Sequence, residues 1–290
     1  MSARGAIDLH THSSVSDGTE TPTQLVRAAA AAGLSAIALT DHDSTAGWQE
    51  AKGAAVRSGI TVIPGMELST NYGPASVHML AYLFDPTDAN IIKETARIRD
   101  GRLHRAERIV EKIAADYDIT WADVLAESVD GGTIGRPHIA DALVKRGYVT
   151  NRSAAFESIL HWQGGYYEKY YAPSPLEGAR MITAAGGVPV LAHPATHGRY
   201  RVIDEAYIAE LVDAGLFGLE VYHRDNTEDG KKWLLELAAK YDLVVTGSSD
   251  YHGVGKPNQL AENSTTPEAL ECIIAAGTGS VPFEGSAAVI

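Results

Sequence analysis

Short apolar runs that close on histidine or carboxylate clusters, each followed by a capped helix, recur along this 290-residue chain. That alternation restricts its fold more than any other feature. Residues 6–9 form the first run and end in His10-Thr11-His12. Thr21-Pro22-Thr23-Gln24 then predicts a helix start, with a threonine cap, proline in the first turn and a glutamine placed to bond back. Gly33 is its natural stop. Residues 36–40 repeat the unit, ending in Asp41-His42-Asp43, with a helix to about Ser58 behind them. Residues 61–66 lead to Glu67, and residues 77–84 read as a fourth strand. Residues 188–192 (ending at His193), 217–222 and 243–247 complete seven. Helices start at Ser174-Pro175, Asp204, Asp225 and Thr266-Pro267. Strand and helix in alternation predict an α/β architecture, and a barrel in preference to an open sheet.

Residues 88–172 break this rhythm. Ile91, Ile98, Leu103, Ile109, Val110 and Ile113 follow helical spacing, and further helices are expected from Thr120, Pro137 and Ser153. The reading is a barrel made of residues 1–87 and 173–290, with 88–172 inserted as a small helical domain. The length agrees, since about 150 residues per domain allows two.

Composition narrows the function. Lys and Arg number 24 against 37 Asp and Glu, a formal net charge of −13. A chain that acidic is unsuited to gripping a long nucleic acid without sequence preference, which needs a basic surface. No apolar stretch approaches the roughly 20 residues needed to span a bilayer. The start, MSARGAIDLH, has no signal-peptide core. Cys272 is the single cysteine, so a reducing cytoplasm is expected.

Of eleven histidines, six stand at or beside expected strand ends, and three carboxylates share those places. In chain order the nine are His10, His12, Asp17, His42, Glu67, His78, His193, Asp250 and His252. In a barrel of this kind the loops at the carboxyl ends of the strands converge on one face, where active sites lie. His78 opens its strand instead of closing it. Joined to Glu67 through the turn Asn71-Tyr72-Gly73-Pro74, it reaches the same face if the two strands run antiparallel. Imidazole and carboxylate without thiolate suit manganese, iron or zinc. Nine ligands exceed what one ion takes and suffice for three divalent or trivalent ions if one carboxylate bridges. Three such ions outweigh three carboxylates, so the cluster attracts phosphate even inside an acidic protein. No serine lies in a nucleophile elbow, and Cys272 has no histidine nearby in sequence, so covalent hydrolysis is unsupported.

The segments Asp8-Leu9-His10-Thr11-His12, Leu39-Thr40-Asp41-His42-Asp43, Gly65-Met66-Glu67, Val77-His78-Met79-Leu80, Ala192-His193-Pro194 and Ser249-Asp250-Tyr251-His252-Gly253 resemble the motif set of the PHP (polymerase and histidinol phosphatase) family. The resemblance implies a distorted seven-stranded barrel and a trinuclear phosphoesterase site. It implies that His10, His12, Glu67 and Asp250 hold one ion. Glu67, bridging, would hold a second with His78 and His193, and Asp17, His42 and His252 a third.

Gly135-Arg136-Pro137-His138-Ile139-Ala140, inside the insertion, is similar to the branch that hydrolyses nucleoside 3′,5′-bisphosphates and short 5′-phosphorylated oligonucleotides. Pro137 places Arg136 at a helix start, where a guanidinium and free N–H groups can hold phosphate. Arg136 and His138 are thus candidate substrate contacts, His138 also a candidate proton donor to the leaving group. The alternative is that both cap the helix. Arg199, beside Tyr200, resembles a phosphate contact of that branch, although its loop is longer than the pattern. Tyr166, Tyr167, Tyr170 and Tyr171 suit either base stacking or packing of the insertion, and His223 suits support of the ligands. Two rivals stand beside the phosphoesterase reading: a histidinol-phosphatase-like monoesterase and a non-catalytic accessory module.

Overall fold

The computed structural model describes residues 5–196 and 203–285. Seven strands form one sheet in sequence order: β1 (Ile7–Thr11), β2 (Ala36–Leu39), β3 (Thr61–Tyr72), β4 (Ala75–Tyr82), β5 (Val188–Leu191), β6 (Gly218–Tyr222) and β7 (Val244–Gly247). Neighbours are parallel except on both sides of β4, which runs antiparallel to β3 and β5. The sheet curls into a nearly closed barrel. At its seam, His12 N–H donates to the Tyr251 carbonyl at 2.9 Å, and Ser249 N–H donates to the Asp8 carboxylate at 3.0 Å.

Between the strands lie α1 (Pro22–Ala31), α2 (Trp48–Ser58), α7 (Pro175–Ala184), α8 (Glu205–Asp213) and α9 (Glu228–Tyr241), and α10 (Pro267–Ala276) follows β7. The expected helix starts hold. Thr21 Oγ accepts from Gln24 N–H while Gln24 Oε1 accepts from Thr21 N–H, and Ser174 and Glu177 exchange the same pair of bonds. α9 starts later than Asp225, because Thr227 supplies the cap.

Alternate residues of β2 and β4 go to different apolar clusters, as the pleat requires. Ala36 and Ala38 of β2 join Leu9, Ile63, Tyr82 and Val190 inside the barrel, closed below by Ile273 of α10. Ile37 and Leu39 join Leu25, Val26, Trp48 and Ile182 in the layer between strands and helices.

β3 exceeds its expected length. Beyond Glu67, residues 68–72 pair only with β4, so the strand rises out of the barrel as one arm of a hairpin. Ser69, Thr70 and Asn71 hide this extension in the sequence, because their polarity reads as a loop.

Since β4 descends, it leaves the chain at the bottom of the barrel. The helix that follows, α3 (Ala89–Ile113), has 25 residues. At 1.5 Å per residue it spans about 37 Å, enough to return the chain to the top. Its Ile91 and Ile98 pack in the barrel's helix layer. Its Ala106, Ile109, Val110 and Ile113 pack with Val124 of α4 (Trp121–Leu125), Ile139 and Leu143 of α5 (Arg136–Lys145) and Ala155 of α6 (Arg152–Glu157). The inserted helices therefore have an apolar cluster of their own. Among the described residues, no helix is long and apolar enough to cross a membrane.

Candidate metal centre

The nine residues singled out in the sequence meet at the top of the barrel. Glu67 is their hub. Its Oε1 lies 2.6 Å from His78 Nδ1 and 3.3 Å from His193 Nε2. Its Oε2 lies 3.2–3.3 Å from His12 Nε2, His42 Nδ1 and His10 Nε2. Asp250 Oδ1 is 3.5 Å from His10 Nε2 and 3.3 Å from His12 Nε2. On the other side, Asp17 Oδ1 lies 3.1 Å from His252 Nε2, and its Oδ2 lies 3.7 Å from His42 Nε2. His78 reaches this face because β3 and β4 pair antiparallel, with His78 opposite Ser69.

Donor atoms of His10, His12, Glu67 and Asp250 all lie within 4.8 Å of one another, as do those of His12, Asp17, His42 and His252, and those of His42, Glu67 and His78. His42 faces two groups at once, one ring nitrogen toward Glu67 and the other toward Asp17.

The chemistry of this donor set fits cations. Asp17 Oδ1, Asp250 Oδ1, His42 Nδ1 and His252 Nε2 are buried without a well-formed hydrogen bond. Polar atoms left so in a protein interior are costly unless something else satisfies them. Burial opposes ionisation of Asp17, Glu67 and Asp250, yet the surrounding histidines, and for Asp250 first of all Lys256, outweigh it and hold all three well below the usual carboxylate range. Burial likewise opposes a charge on His12, but Asp250, Glu67 and Asp17 push it up to about 9. Burial, with Lys256 and His12 adding to it, pushes His252 down to about 4. His193 (φ 31°) and Asp250 (φ 54°) both sit in the left-handed region, a backbone strain of the kind that collects at functional sites.

A ring of buried partners fixes the donors in place. Asp41 accepts from Ser13 N–H, Ser13 Oγ and Ser16 Oγ at 2.7–2.8 Å, tying down the loop that carries Asp17. Asp43 accepts from Ser69 N–H and Oγ, both at 2.7 Å. His223 Nδ1 accepts from Asp225 N–H, which leaves the proton on Nε2, 3.7 Å from Asp250 Oδ2. Two partners have no counterpart in the sequence reading. Glu220, inside β6, sits against His10 Nδ1 and His193 N–H. Lys256 donates to Asp250 Oδ2 at 2.6 Å. Glu220 was hidden because Gly218-Leu219-Glu220-Val221-Tyr222 reads as a strand with one polar residue facing out.

A cavity of about 630 Å³ opens above the centre, within the range that holds small-molecule ligands. Asp17, His42 and His78 form its floor. Arg102 and Arg105 of α3, Arg136 of α5, Arg152 and Phe156 of α6, and Tyr170 form its roof. A smaller opening of about 390 Å³ exposes Glu67, His193 and Asp250.

Arg136 therefore faces the cavity. His138 lines neither opening: it is buried, and its Nδ1 accepts the Gly135 N–H at 3.1 Å as part of the α5 cap. Arg199 and Tyr200 lie outside the described residues. The tyrosines pack within the insertion, and Tyr170 also lines the cavity. Tyr166 donates to Asp116, Tyr171 donates to Glu94 and lies against Arg97, and Tyr167 and Tyr170 lie against arginines.

Residues 8–162 match the PHP domain model, a stretch that includes every expected ligand from His10 to His78. A 3′,5′-nucleoside bisphosphate phosphatase from Chromobacterium violaceum is 33% identical over 258 residues, covering 86% of this chain and 88% of the relative. A 5′-3′ exoribonuclease from Haemophilus influenzae is 33% identical over 252 residues, covering 84% and 89%. A Bifidobacterium adolescentis crystal structure, described as a metal-dependent phosphoesterase, superposes with a TM-score of 0.92 at 42% identity, covering 95% of this chain and 98% of the other. With a strand order, a ligand cluster and a family match that agree, the chain belongs to the PHP domain family.

Proposed function

We propose that this chain is a metal-dependent phosphoesterase that removes the 3′-phosphate from nucleoside 3′,5′-bisphosphates, giving the nucleoside 5′-monophosphate and phosphate. Short 5′-phosphorylated oligonucleotides fit the same reading. The observation that carries it is a cavity with two unlike ends, a histidine–carboxylate floor and an arginine roof. Relatives named for bisphosphate and exoribonuclease activities support it.

In this reading the nine residues hold three ions, of manganese, iron or zinc. Ions held there supply a nucleophilic water at neutral pH and neutralise the phosphoryl oxygens. Glu67, with one oxygen toward His78 and His193 and the other toward His10, His12 and His42, would serve two of these ions, and Glu220 would orient His10. Arg136 holds the phosphate that is not cut, and Arg199 is a further candidate for that contact. His138 holds the first turn of α5 and so sets Arg136. His138 is also the candidate proton donor to the leaving oxygen, a role that requires the doubly protonated ring and therefore release of the Gly135 N–H from Nδ1. Residues 88–172 act as a roof over the barrel of 1–87 and 173–290. The lone cysteine, Cys272, agrees with a cytoplasmic setting.

The test is a substrate panel on manganese-, iron- and zinc-loaded protein: a nucleoside 3′,5′-bisphosphate, a 5′-phosphorylated dinucleotide and histidinol phosphate. Turnover should be fastest on the first two. Preference for histidinol phosphate would replace this reading with the monoesterase, and no turnover of any would favour an accessory module.

A further inference from the structure

Arginines recur at three-residue spacing along α3, at 99, 102, 105 and 108, which keeps neighbours on adjoining faces of the helix. Three of them are engaged. Arg99 donates to the Asp43 carbonyl at 2.5 Å. Arg102 donates to Asp43 Oδ2 at 3.3 Å and to Ser69 Oγ at 2.9 Å. Arg108 lies 3.6 Å from Glu168 and donates to the Lys169 carbonyl.

Arg105 differs. It is only 8% exposed, its Nε has no hydrogen bond, and among the described residues no carboxylate pairs with it. Its guanidinium carbon lies over Tyr170, 4.8 Å from the ring centroid, and 5.4 Å from that of Tyr167. Arg136 faces the same Tyr167 ring from 5.7 Å. Two cations thus lie against one aromatic ring beside the cavity. Burial and the neighbouring Arg136 push Arg105 down to about 10, so it stays charged at neutral pH.

A buried charge without a counter-ion is destabilising, more than ring contacts offset. Arg102 and Arg152 of the same cavity wall each have a carboxylate acceptor, Asp43 and Asp141, whereas Arg105 has only ring faces. Arg105 is therefore a charge that the fold holds ready for an anion arriving through the cavity.

We propose that Arg105 is a specificity-determining residue, the receptor for the terminal phosphate dianion of the substrate, with Arg136 as its second arm. A dianion matches two guanidinium groups, whereas an internal phosphodiester carries one charge and a hydroxyl none. The substrate class this selects is the 5′-phosphomonoester end of a nucleotide. The inference rests on the phosphoesterase reading for its biological meaning, but its test does not depend on turnover.

The experiment compares wild type with Arg105→Met and Arg105→Lys as full-length protein, both metal-loaded and chelated. Binding of a nucleoside 5′-monophosphate and of the same nucleoside with a free 5′-hydroxyl is measured by calorimetry, alongside ligand-free melting temperature. Arg105→Met should weaken 5′-monophosphate binding about ten- to a hundredfold in both metal states, leave nucleoside binding alone and keep or raise the ligand-free melting temperature. Arg105→Lys keeps the charge without the fork and should still lose several-fold. Unchanged 5′-monophosphate affinity in either variant would overturn the proposal. A lowered ligand-free melting temperature in Arg105→Met would also overturn it, by making Arg105 a structural brace. Failure of loaded wild type to hydrolyse the bisphosphate would defeat the proposed function and leave this binding result standing.

Discussion

Glu220 Oε1 lies 3.0 Å from Nδ1 of His10, deep inside the barrel and away from solvent. Its other oxygen accepts the backbone N–H of His193 at 2.8 Å, so one carboxylate aims two donors of the centre. Burial works against its charge, but His10 and the neighbouring histidines hold it down at about 2. A carboxylate behind a ligating imidazole fixes the tautomer and raises its basicity. Glu220→Gln keeps the shape and removes the charge. We expect metal affinity or kcat to fall about ten- to a hundredfold. Titration of metal content in both proteins checks this, and equal affinity would remove Glu220 from the centre.

Glu67→Gln should be the most damaging substitution at the floor, because both oxygens of Glu67 face histidines of different groups. We expect at least ~10²-fold loss of rate. A variant with near-wild-type activity and full metal content would defeat the bridging role.

Chelation should lower both activity and melting temperature, because buried carboxylates and imidazoles lose the cations that offset their desolvation. Elemental analysis after loading should find about three ions per chain. At most one ion under every loading condition would end the trinuclear reading. Magnesium should restore activity poorly, since it favours oxygen ligands over imidazole.

The sequence made the floor legible and the roof opaque, for a physical reason. Strand ends and caps are local: Thr21-Pro22-Thr23-Gln24 carries its whole signal in four residues, and His78 could be placed from a short turn. Glu220 and Arg105 depend on partners far away in the chain. Glu220 meets His10 across 210 positions, and the environment of Arg105 is assembled from two tyrosines some sixty residues on. A charged residue on a helix reads as a solvated face until the element that covers it is known. The extension of β3 was missed likewise, because its pairing partner, not its own periodicity, keeps it extended.

Arg136→Ala should lower kcat/KM for a nucleoside 3′,5′-bisphosphate by about ten- to a hundredfold, the worth of a charge-assisted contact to phosphate. The loss should be much smaller for a chromogenic monoester that lacks the second phosphate. Equal losses on both substrates would tie Arg136 to the reacting phosphate or to the fold.

His138→Ala should cost about 1 kcal/mol of stability through the lost bond to Gly135 N–H, whereas His138→Gln, which can accept the same bond, should recover most of it. If His138 serves by holding Arg136, kcat/KM should recover with the glutamine as well. Equal loss of kcat in both variants, with the alkaline limb of the pH profile displaced, would make the imidazole the proton donor.

The reversal of β4 has an architectural consequence. One descending strand obliges the chain to climb back along α3, and the same rod that buttresses the barrel wall at Ile91 and Ile98 carries Arg102 and Arg105 to the cavity. None of the nine floor residues lies on that segment. With the roles proposed above, the arginines of the insert and the nine floor residues lie on separable stretches of chain, so a lineage could remodel what the pocket admits by altering one continuous insert while the floor below passes on untouched.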